Sequence, residues 1–154
     1  MMNRHIANIR RIRIYTLDQV KELSLEKLNI VPHGFNNNII WNLGHLLAAQ
    51  QSICYVKMGL LPVTPDGYFE KFKPGSRPDR FFESDEVDEV RELLISQLDS
   101  LQADYHRHVF DKYVPWTTRY GFELLTIDEA LDYLFFHEGL HLGVIHSIKK
   151  LVQK

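Results

Sequence analysis

The chain has 154 residues, of which 45% are hydrophobic and 25% are charged, a composition typical of one globular domain with a substantial core. Its formal net charge is −2, and the densest basic run, residues 10–13, holds only three arginines and an isoleucine. These features give no electrostatic case for nucleic-acid binding, and they predict a single domain over residues 1–154.

Hydrophobic periodicity predicts four long helices and almost no strand. The first helix is expected over about Arg4–Leu23. The second begins near Asn36 or Asn37, where an asparagine side chain can cap the free amides, and Gly59 ends it after Met58. Small residues inside this second helix permit close approach of a neighbouring helix.

The second helix lies in a segment without any formal charge, Asn36–Val56, and such a segment can indicate a membrane span. Its polar residues are Asn36, Asn37, Asn38, Asn42, His45, Gln50, Gln51 and Ser52. This many polar groups would be costly in lipid. We therefore expect a central helix that is buried by protein, and no membrane association.

A long loop, about Leu61–Phe82, connects the second and third helices. It holds four prolines and five aromatic residues. Loops of this length inside a compact domain are often functional. Two interpretations stay open: a surface crossover that aromatic residues anchor, or a partial cover over a pocket.

The third helix is expected from a Ser84 cap to about His108, with apolar residues every three or four positions. A loop over about Asp111–Leu125 follows. The fourth helix begins with a capping box, Thr126 to Glu129. Its apolar residues cover more than one face, which indicates burial on several sides and a contact within a homodimer.

The only cysteine, Cys54, cannot form an internal disulfide, which fits a reducing compartment. Its neighbours are mostly apolar, so we interpret it as a small core residue and not a nucleophile. Cytoplasmic localisation is the expectation.

Three histidines carry the main functional signal. His137 and His141 are four residues apart in the fourth helix, so both imidazoles lie on one helical face. His45 lies in the second helix, and packing of the two helices can bring a third imidazole to the pair. Three imidazoles on one divalent metal leave coordination positions open, a pattern typical of catalytic sites. The alternative is that these histidines are hydrogen-bonded core residues.

Glu138 completes an H-E-x-x-H pattern, in which the glutamate of zinc metallopeptidases is the general base. The chain lacks the spacing of a third metzincin histidine, and after Glu138 it has no acidic residue to serve as a metal ligand. A peptidase is therefore a minor alternative. Glu138 remains a candidate proton-transfer residue in another fold. Asn38 and Asn42 are candidates to orient an imidazole through its second nitrogen, or to cap the helix.

The chain resembles the DinB/YfiT-like superfamily of small helical proteins. The resemblance covers nearly the whole chain and depends on Trp-Asn-Leu-Gly-His-Leu at residues 41–46 and on His-Glu-x-x-His at residues 137–141. It implies an all-α four-helix bundle of up-down-down-up order with long inter-helix loops. It also implies that His45, His137 and His141 bind a divalent metal such as zinc or nickel. Members of the superfamily are often homodimers, so the resemblance implies a homodimer here too.

Characterised members of this superfamily include metal-dependent enzymes that use low-molecular-weight thiols. The resemblance therefore implies a thiol S-transferase, in which a metal-activated thiol or water attacks a small electrophile. Candidate contacts to the small-molecule substrate are Trp116, Arg119 and Tyr120, and Glu138 is the candidate for proton transfer. The alternatives are a metal-dependent hydrolase and a non-catalytic bundle whose metal is structural or adventitious.

Overall fold

The computed structural model describes residues 1–154 and is predominantly helical. Its helices are α1 (Arg4–Val20), α2 (Leu25–Asn29), α3 (Ile39–Cys54), α4 (Tyr68–Phe72), α5 (Ser84–His106) and α6 (Ile127–Val152). A 3-10 turn, Val56–Met58, follows α3. Strands β1 (Trp116–Thr117) and β2 (Glu123–Leu124) form a short antiparallel hairpin inside the predicted loop between α5 and α6.

The four long helices pack in a closed order. Helix α1 contacts α5 and α6, and α3 contacts the same two helices. Every residue of α3 except Ser52 is buried, which confirms the prediction of a central helix buried by protein. No helix combines the length and the apolar composition that a bilayer crossing requires.

Two hydrophobic clusters divide the core along the helices. One contains Val20 of α1 together with the first half of α3, the first half of α5 and the second half of α6. The other contains Ile6 and Ile9 of α1 together with the opposite halves of α3, α5 and α6. Between the clusters lies a buried polar layer that includes Arg13, Gln50 and Glu138.

The helix termini follow the sequence signals with two corrections. Helix α3 ends at Cys54 and not at the predicted Met58, and a separate 3-10 turn, Val56–Met58, carries the chain on to Gly59. The Asn38 side chain caps α3 by accepting the Trp41 amide at 2.8 Å, and Gly59 ends the 3-10 turn with a φ of 77°. The predicted capping box of Thr126 and Glu129 is present. The prediction that Ser84 caps α5 was wrong, because Glu83 is the N-cap residue, its amide donates to the Glu86 carboxylate at 3.1 Å, and Ser84 is already helical.

Helix α6 leaves several large apolar side chains exposed to solvent. Phe135, Phe136, Leu140 and Leu151 are each at least 40% exposed. Burial of α6 is therefore incomplete on the side away from the core. The homodimer expected from its sequence stays a prediction.

Candidate metal centre

The structure brings His45, His137 and His141 together. His45 comes from α3 and the other two from α6, and these helices pack directly against each other. One ring nitrogen of each histidine lies within 4.8 Å of those of the other two. The ring centroids of His137 and His141 are 4.4 Å apart, as their spacing of one helical turn predicts. Such a group of imidazoles can hold a metal ion.

Two neighbours fix the ring of His45. The Nδ1–H group donates a hydrogen bond of 2.8 Å to the carbonyl oxygen of Phe72 in α4. A carbonyl oxygen can only accept, so the proton lies on Nδ1 and the lone pair on Nε2. The indole of Trp41 stacks on the imidazole with a centroid distance of 4.6 Å and an interplanar angle of 11°. His45 therefore presents Nε2 as a ligand from a fixed orientation.

Asn42 fixes His141 in the same way. The His141 Nδ1–H group donates to Asn42 Oδ1 at 2.8 Å. The orientation of that amide is itself fixed, because Asn42 Nδ2 donates to the Asn38 carbonyl oxygen at 2.7 Å. This confirms the predicted role of Asn42 in orienting an imidazole, and it leaves Nε2 of His141 as the free nitrogen.

His137 has no such partner. Its Nδ1 atom is buried and forms no hydrogen bond with the protein. An unpaired buried nitrogen costs free energy, and a bound metal or an ordered group in the cavity would offset that cost. This orphaned atom beside two oriented imidazoles fits a metal-binding group.

The three imidazoles are neutral at physiological pH. Burial lowers the pKa of His45. Burial first, and nearby positive charge second, lower the pKa of His137 to about 2 and that of His141 to about 3, because several positive charges cannot share so small a volume. A metal ion therefore does not have to displace protons from these rings at neutral pH.

The three histidines line a cavity of about 700 Å³ that opens to solvent. Its walls are mainly aromatic and aliphatic, with Trp41, Trp116, Tyr120, Tyr133, Leu140 and Val144 among them. All three predicted substrate-contact residues, Trp116, Arg119 and Tyr120, line this cavity with the histidines. The sequence could name these residues only by their place in one loop, whereas the fold places them beside the three histidines.

Glu138 lies elsewhere. Its carboxylate is 1% exposed, is absent from the cavity wall, and accepts a hydrogen bond of 2.8 Å from Arg13 Nε. Burial raises the pKa of the Glu138 carboxyl, and the Arg13 guanidinium opposes that rise. A general base must reach the substrate or the attacking water. Glu138 lies between α1 and α6, outside the cavity wall. Its position therefore supports neither a catalytic role for Glu138 nor the peptidase alternative.

The loop between α3 and α5 combines the two interpretations that the sequence left open. Its aromatic residues Tyr68, Phe72 and Phe82 are buried in the core and anchor it. Between them, Pro74 and Gly75 line the cavity. The next residue, Ser76, accepts a hydrogen bond of 3.0 Å from the Trp41 indole. The loop is thus an anchored crossover that also forms part of the cavity wall.

Sequence reasoning missed several residues that build this site. The Phe72 carbonyl could not be found, because any residue type supplies a backbone carbonyl. Ser76 and Lys57 are far from the histidines in sequence and carry no motif. Tyr133 is different, since the sequence places it one turn before His137 on roughly the same helical face, where we interpret it as a core aromatic residue.

The space around Gly44 yields a test of the His45 support. A Cβ atom added to Gly44 would lie 2.4 Å from Cδ1 of Phe72, whose ring is packed between Tyr68 and Phe82. We expect Gly44→Ala to destabilise the fold by about 1–3 kcal/mol through overpacking. It also moves the Phe72 carbonyl, so we expect the metal dissociation constant to rise by roughly 10–100-fold. Isothermal titration with zinc measures this change.

The matched control for this test is Gly143→Ala in α6, where an added Cβ atom meets nothing within 4 Å. This variant should bind metal normally and gain about 0.5–1 kcal/mol of stability. Equal metal affinity in the two variants would show that the Phe72 contact does not support His45.

Comparison with known families agrees with this geometry. A family model described as the DinB superfamily matches residues 8–145. The chain belongs to the DinB superfamily. The matched residues of this DinB-superfamily chain include all three histidines and all three predicted substrate contacts. Comparison with curated proteins finds no match.

Proposed function

We propose that this DinB-superfamily chain is a metal-dependent enzyme of the low-molecular-weight-thiol S-transferase type. One observation carries the proposal: three neutral imidazole groups from α3 and α6 converge in the wall of an open, mostly apolar cavity. His45, His137 and His141 would hold a divalent ion, zinc or nickel. When bound, such an ion lowers the pKa of a coordinated thiol or water at neutral pH.

The chain's own residues have distinct roles in this proposal. The hydrogen bonds that His45 donates to the Phe72 carbonyl and His141 donates to Asn42 Oδ1 orient two of the ligand rings before the metal arrives, which lowers the entropic cost of binding. Trp116 and Tyr120 provide apolar contact area for a small electrophile or for the body of a thiol. Arg119 provides positive charge beside them. Glu138 has a structural role, because its pair with Arg13 ties α6 to the rest of the core.

The proposal includes the up-down-down-up four-helix bundle. The distribution of the core residues supports that order. The N-terminal parts of α1 and α6 share one hydrophobic cluster with the C-terminal parts of α3 and α5. This distribution fits α1 and α6 running one way and α3 and α5 the other.

The enzymatic part is tested with the zinc-loaded and nickel-loaded chain against a panel of electrophiles with several biological thiols. We expect at least one thiol and electrophile pair to react faster than the metal-free background, and His141→Ala to remove that excess. Turnover without thiol would instead identify a hydrolase. Rates that equal the background for every pair, with metal confirmed present, would favour a non-catalytic metal-binding bundle.

A further inference from the structure

The cavity beside the histidines has an unbalanced positive charge. The only side chains in its wall that carry a formal charge at neutral pH are Lys57 and Arg119, and no aspartate or glutamate lines it. The whole chain has the opposite balance, 20 acidic against 18 basic residues. A metal ion on the three histidines would add further positive charge to the same volume. The cavity therefore favours anions where the chain as a whole does not.

Neither cation is neutralised by an acidic partner. Lys57 and Arg119 take part in none of the ion pairs of the fold. Each contacts an aromatic ring instead: Lys57 Nζ lies 4.3 Å from the ring centroid of Trp116, and the Arg119 guanidinium carbon lies 6.0 Å from that of Tyr120. A ring face orients a cation without cancelling its charge. Both cations thus keep their capacity to bind an anion.

The backbone holds these two side chains in defined places. Arg119 lies in the turn of the hairpin, where the Thr118 amide donates to the Phe122 carbonyl at 2.9 Å and Gly121 has a φ of 84°. Lys57 lies in the 3-10 turn after α3. Trp116 connects the hairpin to the C-terminal end of α3, because its indole donates to the Tyr113 hydroxyl, which in turn donates to the Ile53 carbonyl. Both residues are exposed to solvent, and both line the cavity from segments of defined backbone conformation.

We propose that the substrate of this metal site carries a carboxylate, which Arg119 and Lys57 bind while the apolar part of the molecule lies against the aromatic wall. The proposal deepens the proposed function and rests on it for the position of the reacting group. A guanidinium matches a carboxylate with two parallel hydrogen bonds, and a nearby ammonium adds a point charge. Trp116 and Tyr120 each contact one of the cations and line the cavity. They can therefore pack against the apolar part of the substrate that links its carboxylate to its reacting group.

The test uses two thiols of equal length, 3-mercaptopropionate and its amide, 3-mercaptopropionamide. Their binding to the nickel-loaded chain is followed by thiolate-to-metal absorption. We expect the ratio of the two dissociation constants to favour the acid in the native chain. That preference should fall by about tenfold in the double variant Lys57→Gln/Arg119→Gln, since a charged hydrogen bond is worth about a factor of ten. The two probes differ in the pKa of their thiols, but this difference affects the ratio of dissociation constants equally in the native chain and in the variant, so it cancels when the two ratios are compared.

The control variant is Lys112→Gln, which removes a positive charge from an exposed lysine outside the cavity. It should leave the acid preference unchanged. An equal loss of preference in Lys112→Gln would show a general effect of net charge, and it would overturn the proposal. An unchanged preference in the double variant would also overturn it.

A second arm does not depend on metal. The metal-free chain is titrated with 3-phenylpropionate and with 3-phenylpropionamide, and binding is followed by the fluorescence of Trp41 and Trp116 in the cavity wall. The same loss of acid preference in the double variant supports the carboxylate site even where nickel fails to bind and the proposed function is lost. Equal affinity for acid and amide in the native chain overturns the carboxylate site alone.

Discussion

Replacement of His141 with alanine is expected to abolish stoichiometric zinc or nickel binding. The substitution removes one of three converging ring nitrogens and leaves Asn42 Oδ1 without its donor. Loss of a group that merely orients a ligand typically costs 10–100-fold in metal affinity, so loss of a ligand should raise the dissociation constant by more than about 100-fold. Metal content after dialysis against a weak chelator, together with isothermal titration, measures this change.

His146 supplies the matched control. It lies on the same helix but outside the converging group. The His146→Ala variant should keep about one metal ion per chain, and both variants should retain the helical circular dichroism of the native chain. Retention of one equivalent of metal by a folded His141→Ala variant would remove His141 from the assignment.

Replacement of Arg13 with methionine is expected to destabilise the fold strongly. The Arg13 side chain is fully buried and donates to Glu138, to Gln50 Oε1 at 2.9 Å, and to the carbonyl oxygens of Leu94 and Leu46. Methionine leaves the Glu138 carboxylate buried and unpaired. We expect a loss of about 3–5 kcal/mol in the free energy of unfolding. This corresponds to a fall of roughly 10 °C in the melting temperature by circular dichroism.

The double variant Arg13→Met/Glu138→Leu separates the charge pair from its packing. A buried ion pair can be exchanged for apolar residues with little net cost, so the double variant should recover more than half of the lost stability. If the melting temperature of the Arg13→Met variant equals that of the native chain, the polar layer does not hold the four helices together. The double variant should also bind metal, since neither residue belongs to the histidine group.

The sequence was sufficient for the four long helices and for the spacing of His137 and His141, because both depend on local patterns. The capping box at Thr126 and the Gly59 terminus follow from backbone chemistry that neighbouring residues determine. The pair His137 and His141 is fixed by helical periodicity, and only its meeting with His45 required a packing assumption. The family resemblance supplied that assumption, and the structure bears it out.

The remaining features depend on contacts between distant segments. No local pattern pairs Arg13 with Glu138, which is 125 residues away, so the local motif alone suggests that the glutamate is a base. The hairpin strands have only two residues each and leave no periodic pattern. The short helix α4, whose Phe72 carbonyl orients His45, lies in a segment rich in proline and was predicted as loop.

The proposed site has three imidazoles that hold a metal and an open position for a thiol. X-ray absorption at the zinc or nickel edge of the loaded chain, before and after addition of a small thiol, is the decisive measurement. We expect nitrogen or oxygen ligands alone at first, at about 2.0–2.1 Å for zinc, and then one sulfur at about 2.3 Å with the imidazole scattering unchanged. A chain that retains no metal, or a metal whose ligands do not change when thiol is added, would contradict it.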